Sequence, residues 1–228
     1  MTVILAALCD AGKGAILMAD KMRTAVHPIT HEMYEVENEE IRKIFQLNDN
    51  TYLAYSGDNE FWTDIVSEIE REVNPNDSLK KVRAKIEKIY HKYFQRYQWT
   101  KELGFIGFTD MNDYVNRAHT IWPQSRIDAV DARLRALLSP GELLMVGVED
   151  AHYKIYALND PGILKPANPG HTSAGSGLTY ANPILDRELM SSMTKDEVEE
   201  VMVRAKKAAE AANGVGKTHD VVYLPTLD

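Results

Sequence analysis

The chain of 228 residues contains one cysteine, Cys9. A lone thiol closes no internal disulfide and builds no multi-thiolate metal centre, which fits a reducing compartment such as the cytoplasm. Cys9 ends an apolar run over residues 3–8, so it reads as a buried structural thiol rather than a reactive one. Histidine is sparse, with seven residues. His27 and His31 stand four apart, but Pro28 breaks the helix that would put both on one face, so no metal site and no cofactor is expected. No apolar run approaches the ~18 residues needed to cross a bilayer. No basic segment precedes the first apolar run, so no secretory leader and no membrane partner is expected. Positive charge is in deficit: 26 Lys and Arg face 34 Asp and Glu, a net −8. That balance argues against nucleic acid as a partner, since phosphate binding needs clustered cations.

What remains is ordinary for a soluble globular chain, with 44% apolar and 26% charged residues. The length suits one domain over residues 1–228. Residues 3–8 and 15–19 are short apolar runs around turn residues, a hairpin with both strands well buried. Residues 25–40 are polar and read as a loop or extended hairpin. A second hairpin runs over 41–47 and 51–55, with Asn48-Asp49-Asn50 as its turn. Phe61, Ile65, Ile69 and Val73 then recur every four residues, and Leu79, Val82, Ile86, Ile89, Tyr93 and Tyr97 every three to four. These are two amphipathic helices, separated by Asn74-Pro75-Asn76-Asp77, with Asp77 or Ser78 as the cap of the second. The other face of the second helix carries Lys80, Lys81, Arg83, Lys85, Lys88, Lys92 and Arg96. It is read as a solvated face, with an acidic partner surface as the sharper alternative.

Residues 103–108 read as a strand, and Ile127, Val130, Leu134 and Leu137 mark a helix. Residues 143–148 and 153–158 form a hairpin through Glu149-Asp150, and 160–170 read as loop. Gly175-Ser176-Gly177 closes a short strand and opens a helix over 178–190. Thr194 and Glu197 have the spacing of a capping box, and the helix they start continues on one apolar face to Ala212, ended by Asn213-Gly214. Residues 221–224 are a last strand. Strand runs separated from helix runs point to antiparallel sheets with helices outside, a layered α/β/β/α sandwich.

Thr2 is the residue on which chemistry could turn. Once an initiator Met is removed, such a threonine carries a hydroxyl nucleophile and a free α-amine on one residue. The amine, with a pKa of about 7.7–8.0, can take the hydroxyl proton near neutral pH, directly or through a water. Its context is Thr2-Val3-Ile4, then Gly14-Ala15-Ile16-Leu17-Met18-Ala19-Asp20 with Thr24, then Lys43-Ile44-Phe45 and Ala54-Tyr55-Ser56-Gly57-Asp58. Late in the chain come Gly175-Ser176-Gly177, the helix segment Arg204-Ala205-Lys206-Lys207-Ala208-Ala209, and Asp220-Val221-Val222. In this order, over nearly the whole chain, the pattern resembles the proteasome β-subunit family and its bacterial HslV relative, N-terminal nucleophile (Ntn) hydrolases.

The resemblance implies an α+β four-layer αββα sandwich and a threonine-type peptidase acting through an acyl-enzyme. Thr2 aligns with the nucleophile, Asp20 with the acid that orients the catalytic lysine, and Lys43 with that lysine. Gly57, reached from Lys43 without a gap, aligns with the oxyanion donor, and Ser176 with the serine beside the threonine amine. Phe45 and Tyr55, together with Arg23, Ile41 and Asn59, fall at positions expected to contact substrate; two aromatics there shrink the pocket and favour small residues. The implied partners are peptide or unfolded protein as substrate, further copies of the chain in a homo-oligomer or ring, and an ATPase that delivers substrate.

Each of these residues also has a plain structural reading: Asp20 and Lys43 as a surface ion pair, Gly57 as a turn, Ser176 as a helix cap. The chain also departs from the pattern. The stretch between Asp20 and Lys43 is several residues longer, and residues 101–141 read as an insertion. Asn213 takes the place of a supporting Asp, and Val215 or Gly216 that of a supporting Ser. A specialised small-amide or single-peptide hydrolase or transpeptidase on the same fold is a second reading, and a non-catalytic scaffold subunit a third. The chain starts at its first strand without the extra helix of α-type subunits, which counts against the scaffold. Gly214-Val215-Gly216-Lys217-Thr218 imitates the end of a phosphate-binding loop, but it follows a helix and precedes a strand, the reverse of what that loop requires.

Overall fold

A computed structural model describes residues 2–26, 30, 33–38, 40–137, 139–159, 162–167 and 169–227. His27, Pro28 and His31, with Met1 and Glu39, lie outside the described residues.

β1 (Ile4–Cys9) and β2 (Gly14–Asp20) are apolar up to the closing Asp20 because both of their faces are covered. Val3, Leu5, Ala7, Cys9, Ile16 and Met18 point one way, and Ile4, Ala6, Ala15, Leu17 and Ala19 the other. A turn at Asp10–Gly12 joins the two strands. Cys9 is buried, and desolvation, helped by the adjacent Asp10 charge, pushes its thiol up to about 12. It stays protonated, as expected of a structural cysteine.

β3 (Met22–Val26) and β4 (Met33–Glu37) form a separate two-stranded sheet that begins ahead of the polar stretch and runs into it. β5 (Ile44–Asn48) and β6 (Thr51–Gly57) make the next hairpin. Residues 41–43 lie ahead of the strand expected to begin at 41. α1 (Asn59–Glu72) is capped by Asp58, whose carboxylate accepts the N–H groups of Glu60 and Phe61. α2 (Leu79–Gln98) starts after Ser78, which makes no side-chain cap bond; Asp77 instead accepts the Asn74 N–H at 3.0 Å and pairs with Lys85 at 2.5 Å. Lys80, Lys81, Lys88, Lys92 and Arg96 are exposed on α2.

The expectation of a strand over 103–108 is overturned. A π turn at Trp99–Leu103 and a 3-10 turn at Gly104–Ile106 occupy it, ended by Gly107 at φ 90°. Leu103 and Phe108 are buried against α3 (Met111–Ile121) and α4 (Gln124–Ala136), and the Trp99 indole N–H donates to the Phe108 carbonyl at 2.6 Å. The apolar pattern therefore serves a small helical core of its own. α3 was not expected; its signal is Asp110, whose carboxylate caps the Asp113 N–H.

β7 (Gly141–Glu149) and β8 (His152–Asn159) form the expected hairpin. β9 (Ile163–Pro166) lies where a loop was expected. It sits at the sheet edge beside β8, where Pro166 removes no interior ladder bond, and only Leu164 of its side chains is buried, so the pattern was faint. β10 (His171–Ala174), α5 (Leu178–Glu188), α6 (Lys195–Ala209) and β11 (His219–Leu224) complete the order. Thr194 and Glu197 form the capping box. Thr194→Ala is expected to lower stability by about 1 kcal/mol, read as a lower denaturation midpoint at unchanged slope. α6 ends at Ala209, three residues short of the expected Ala212, and Gly214 takes φ 79°.

The strands build two antiparallel sheets, β10-β1-β2-β11 and β5-β6-β7-β8-β9. Small residues such as Ala6, Ala15, Ala54 and Ala174 line the contact between them. α5 and α6 cover the first sheet, and α1 and α2 the second. This is the four-layer αββα sandwich. Among the described residues no helix is long and apolar enough to cross a membrane.

Candidate active site

The register Ile4↔Ala19 brings the start of β1 beside the end of β2. Asp20 closes β2 there: its N–H donates to the Val3 carbonyl at 3.1 Å, and the Val3 N–H donates back to Asp20 Oδ1 at 2.9 Å. Asp20 is 1% exposed, and its carboxylate accepts four bonds. Oδ1 takes the Val3 N–H and the Lys43 ammonium at 3.0 Å, and Oδ2 takes the N–H groups of Met22 and Gly216, each at 3.0 Å. Three backbone donors and one cation replace the water that burial removed.

Lys43 precedes β5 and is 6% exposed. Its Nζ donates to Thr2 Oγ1, to Asp20 Oδ1 at 3.0 Å and to the Met22 carbonyl at 2.5 Å. All three ammonium protons are thereby used. Burial lowers its pKa below the ordinary lysine value, and the Asp20 charge and hydrogen bond oppose that shift. The Asp20–Lys43 contact is thus a buried pair aimed at the Thr2 hydroxyl, not a surface ion pair.

Thr2 is 4% exposed, and its N–H donates to Ser176 Oγ at 3.3 Å, while Ser176 Oγ donates to the Thr2 carbonyl at 3.4 Å. Ser176 makes no side-chain bond capping α5. Thr2, Asp20, Lys43 and Ser176 therefore meet, although up to 174 residues separate them in the chain. Gly57 ends β6 at φ 111°, opposite Gly141; a Cβ there would run into the Pro140 carbonyl and Gly141 Cα. Its neighbour Ser56 faces the same group, with its Cβ against Gly175, which in turn lies against the Thr2 carbonyl.

Asn213 is exposed and makes no side-chain hydrogen bond among the described residues. The loop reaches Asp20 through the Gly216 main chain instead. That loop is tied down by Lys206, 2% exposed, which donates to the Lys217 carbonyl and to Glu210 at 2.7 Å. Glu37 of β4 accepts the Thr218 N–H at 2.6 Å and its hydroxyl at 2.7 Å, which hold the carboxyl below its usual range. Residues 214–218 therefore hold carboxylates rather than an open phosphate cradle.

Phe45, Tyr55 and Asn59 come together. The Phe45 and Tyr55 rings stack at 5.8 Å, and the Tyr55 hydroxyl donates to Asn59 Oδ1 at 3.0 Å. Tyr55 also stacks on Trp62 at 5.8 Å, and burial raises its pKa. Ile41 stands apart, lining a cleft with Lys21, Arg42, Tyr52 and Asp220 between the edges of β5 and β11. Arg23 is exposed on β3. Sequence reasoning missed the Met22 carbonyl, Glu37 and Lys206, as well as Glu142, whose Oε2 accepts the Gly175 N–H at 2.5 Å. Main-chain acceptors leave no mark on residue type, and an isolated Glu or Lys looks like surface charge. Among the described residues no three His, Cys, Asp or Glu side chains gather as metal ligands would.

Solved structures share this fold, among them three proteasome-related chains. Anbu (ancestral β-subunit) from Yersinia bercovieri matches at TM-score 0.65 and 14% identity, over 98% of this chain and 82% of that one. An Anbu (Gly-1) mutant from Hyphomicrobium sp. strain MC1 matches at 0.61 and 14%, over 100% and 84%. Eukaryotic HslV from Trypanosoma brucei matches at 0.58 and 16%, over 97% and 98%. The fold is the proteasome-like Ntn sandwich. No protein-family model matches the chain, and no curated relative does. At these identities the likeness carries the fold alone.

Proposed function

We propose that this chain is a threonine-type hydrolase of the proteasome β/HslV-like kind, with Thr2 as its nucleophile after removal of Met1. The observation that carries the reading is the Lys43 ammonium, buried and donating at once to Thr2 Oγ1, Asp20 and the Met22 carbonyl. A buried cation at a hydroxyl favours the alkoxide character an attacking oxygen must develop. Asp20, saturated by backbone donors, holds that cation in place.

The Thr2 oxygen attacks the scissile carbonyl while its proton passes to the freed α-amine, directly or through a water. The Gly57 N–H receives the developing oxyanion, a contact typically worth about 10²–10³ in rate. The carbon–nitrogen bond then breaks, the leaving amine takes the proton, and the acyl group remains as an ester on Thr2. Water, deprotonated by the same amine, attacks the ester and restores the hydroxyl. Ser176 holds the amine nitrogen in place throughout.

The substrate class is peptide or unfolded protein. The Phe45–Tyr55 stack, closed below by Trp62, suits a small side chain before the scissile bond. The same stack favours, as the second reading, a specialised small-amide or single-peptide hydrolase. A homo-oligomer, and an ATPase that feeds it, belong to the first reading. A monomer or dimer in sedimentation would favour the second.

Intact mass decides the nucleophile. The purified protein should lack Met1 and should gain one equivalent of a β-lactone or epoxyketone at Thr2. Retained Met1 with no adduct would sink the proposal and favour a non-catalytic subunit.

A further inference from the structure

We propose that Glu142 is a positioning residue of the Thr2 site: its carboxylate grips the Gly175 N–H and so aims the Ser176 hydroxyl at the Thr2 nitrogen. This rests on the reading of Thr2 as nucleophile.

Glu142 lies near the start of β7, and the register Ser56↔Glu142, Gly57↔Gly141 sets it beside the candidate oxyanion position. Residues directly opposite in an antiparallel pair share a face of the sheet. Ser56 faces Gly175, with its Cβ 3.2 Å from where a Gly175 Cβ would stand. Glu142 faces the same way, and its Oε2 accepts the Gly175 N–H at 2.5 Å. The bond crosses from the second sheet to the end of β10 in the first.

Gly175 is coupled directly to Thr2. It sits at φ 91°, and a Cβ there would collide with the Thr2 carbonyl, so its backbone packs against the nucleophile residue. The turn it opens touches Thr2 through three long bonds: Thr2 N–H to Ser176 Oγ at 3.3 Å, Ser176 Oγ to the Thr2 carbonyl at 3.4 Å, and Gly177 N–H to the same carbonyl at 3.4 Å. Bonds of that length fix a hydroxyl poorly. The Glu142 bond is the short, charge-assisted one of the set, and such bonds are about twice as strong as neutral ones. Glu142 is half-buried, and its β7 neighbour Leu144 packs among the apolar residues between the sheets. A carboxylate needs a strong partner there, and Gly175 supplies it.

Hydrogen exchange of the peptide containing Gly175 to Gly177, together with the rate of adduct formation by a β-lactone, tests the assignment. Glu142→Ala should lose protection at Gly175. It should also label Thr2 about ten- to a hundredfold more slowly at saturating reagent, with the reagent's half-saturating concentration unchanged. Glu142→Gln keeps an acceptor oxygen at the same reach and should stay within about threefold of wild type in both readouts. Wild-type protection in Glu142→Ala overturns the tie. Lost protection with a wild-type labelling rate overturns the positioning role. A wild-type protein that forms no adduct takes down the nucleophile reading, and with it the positioning role, while exchange still decides whether Glu142 holds the turn.

Discussion

Replacing Thr2 by alanine is expected to abolish adduct formation and to lower peptide-bond hydrolysis by about 10⁴-fold or more, the scale seen when a covalent nucleophile is removed. The α-amine, Lys43 and the Gly57 N–H would all remain, but no oxygen would be left to form the ester. The fold should survive. Thr2 Oγ1 is one of three acceptors for the Lys43 ammonium, and Asp20 Oδ1 and the Met22 carbonyl persist. Loss of one acceptor is worth about 1 kcal/mol. The informative comparison is therefore hydrolysis against thermal midpoint: rate collapses and stability moves little. Thr2→Ser, which keeps hydroxyl and amine, should retain most of the rate. Hydrolysis that persists in Thr2→Ala would refute the nucleophile assignment.

Lys43→Met should strike activity and stability together. Activity is expected to fall about 10²–10³-fold, the scale of removing one preorganised charge-stabilising group. Stability is expected to fall by about 3 kcal/mol, since removing one partner of a buried pair strands the other. The three backbone N–H groups on Asp20 keep the loss at the low end of that range. Lys43 should also leave a signature in the pH dependence. Its folded pKa lies below the ordinary 10.5 because burial outweighs the attraction of Asp20. In the window between those two values the unfolded chain binds more protons than the folded one. Its contribution therefore makes stability rise with pH across that window, and below it Lys43 carries its full desolvation penalty. Denaturation midpoints of wild type and Lys43→Met, compared between neutral pH and about pH 10, should diverge: the wild-type curve climbs relative to the mutant. A constant gap at every pH would show that Lys43 does not titrate as a desolvated group.

Both experiments probe contacts that differ in how far the sequence reveals them. Residues 3–8 and 15–19 announce their strands because a strand covered on both faces has to be apolar throughout. The α1 and α2 helices show as clearly, since a helix packed on a sheet needs an apolar stripe at its own period. Thr194 and Glu197 are equally legible, because a capping box is completed within four residues. Thr2, Asp20, Lys43, Gly57 and Ser176 could be named only through likeness to a family pattern. Local periodicity says nothing about partners that stand 23 to 174 residues apart.

The remainder was decided in three dimensions. The apolar residues at 103–108 fit a strand as well as a helical turn; a core shared with α3 and α4 selects the turn. β9 exists because an edge beside β8 was free to be paired, not because its four residues prefer to be extended. Gly216 reaches Asp20 across 196 residues with a main-chain N–H, which every residue but proline possesses and no sequence pattern marks. Glu142 meets Gly175 only because the β6–β7 register turns it toward the other sheet, and a slip of one residue would face it the opposite way. The sequence by itself thus determined the elements that are stabilised at their own short period, such as β1, β2, α1, α2 and the capped start of α6. The tertiary structure decided the site, because register and loop path, not residue type, choose which donors and acceptors meet at Thr2.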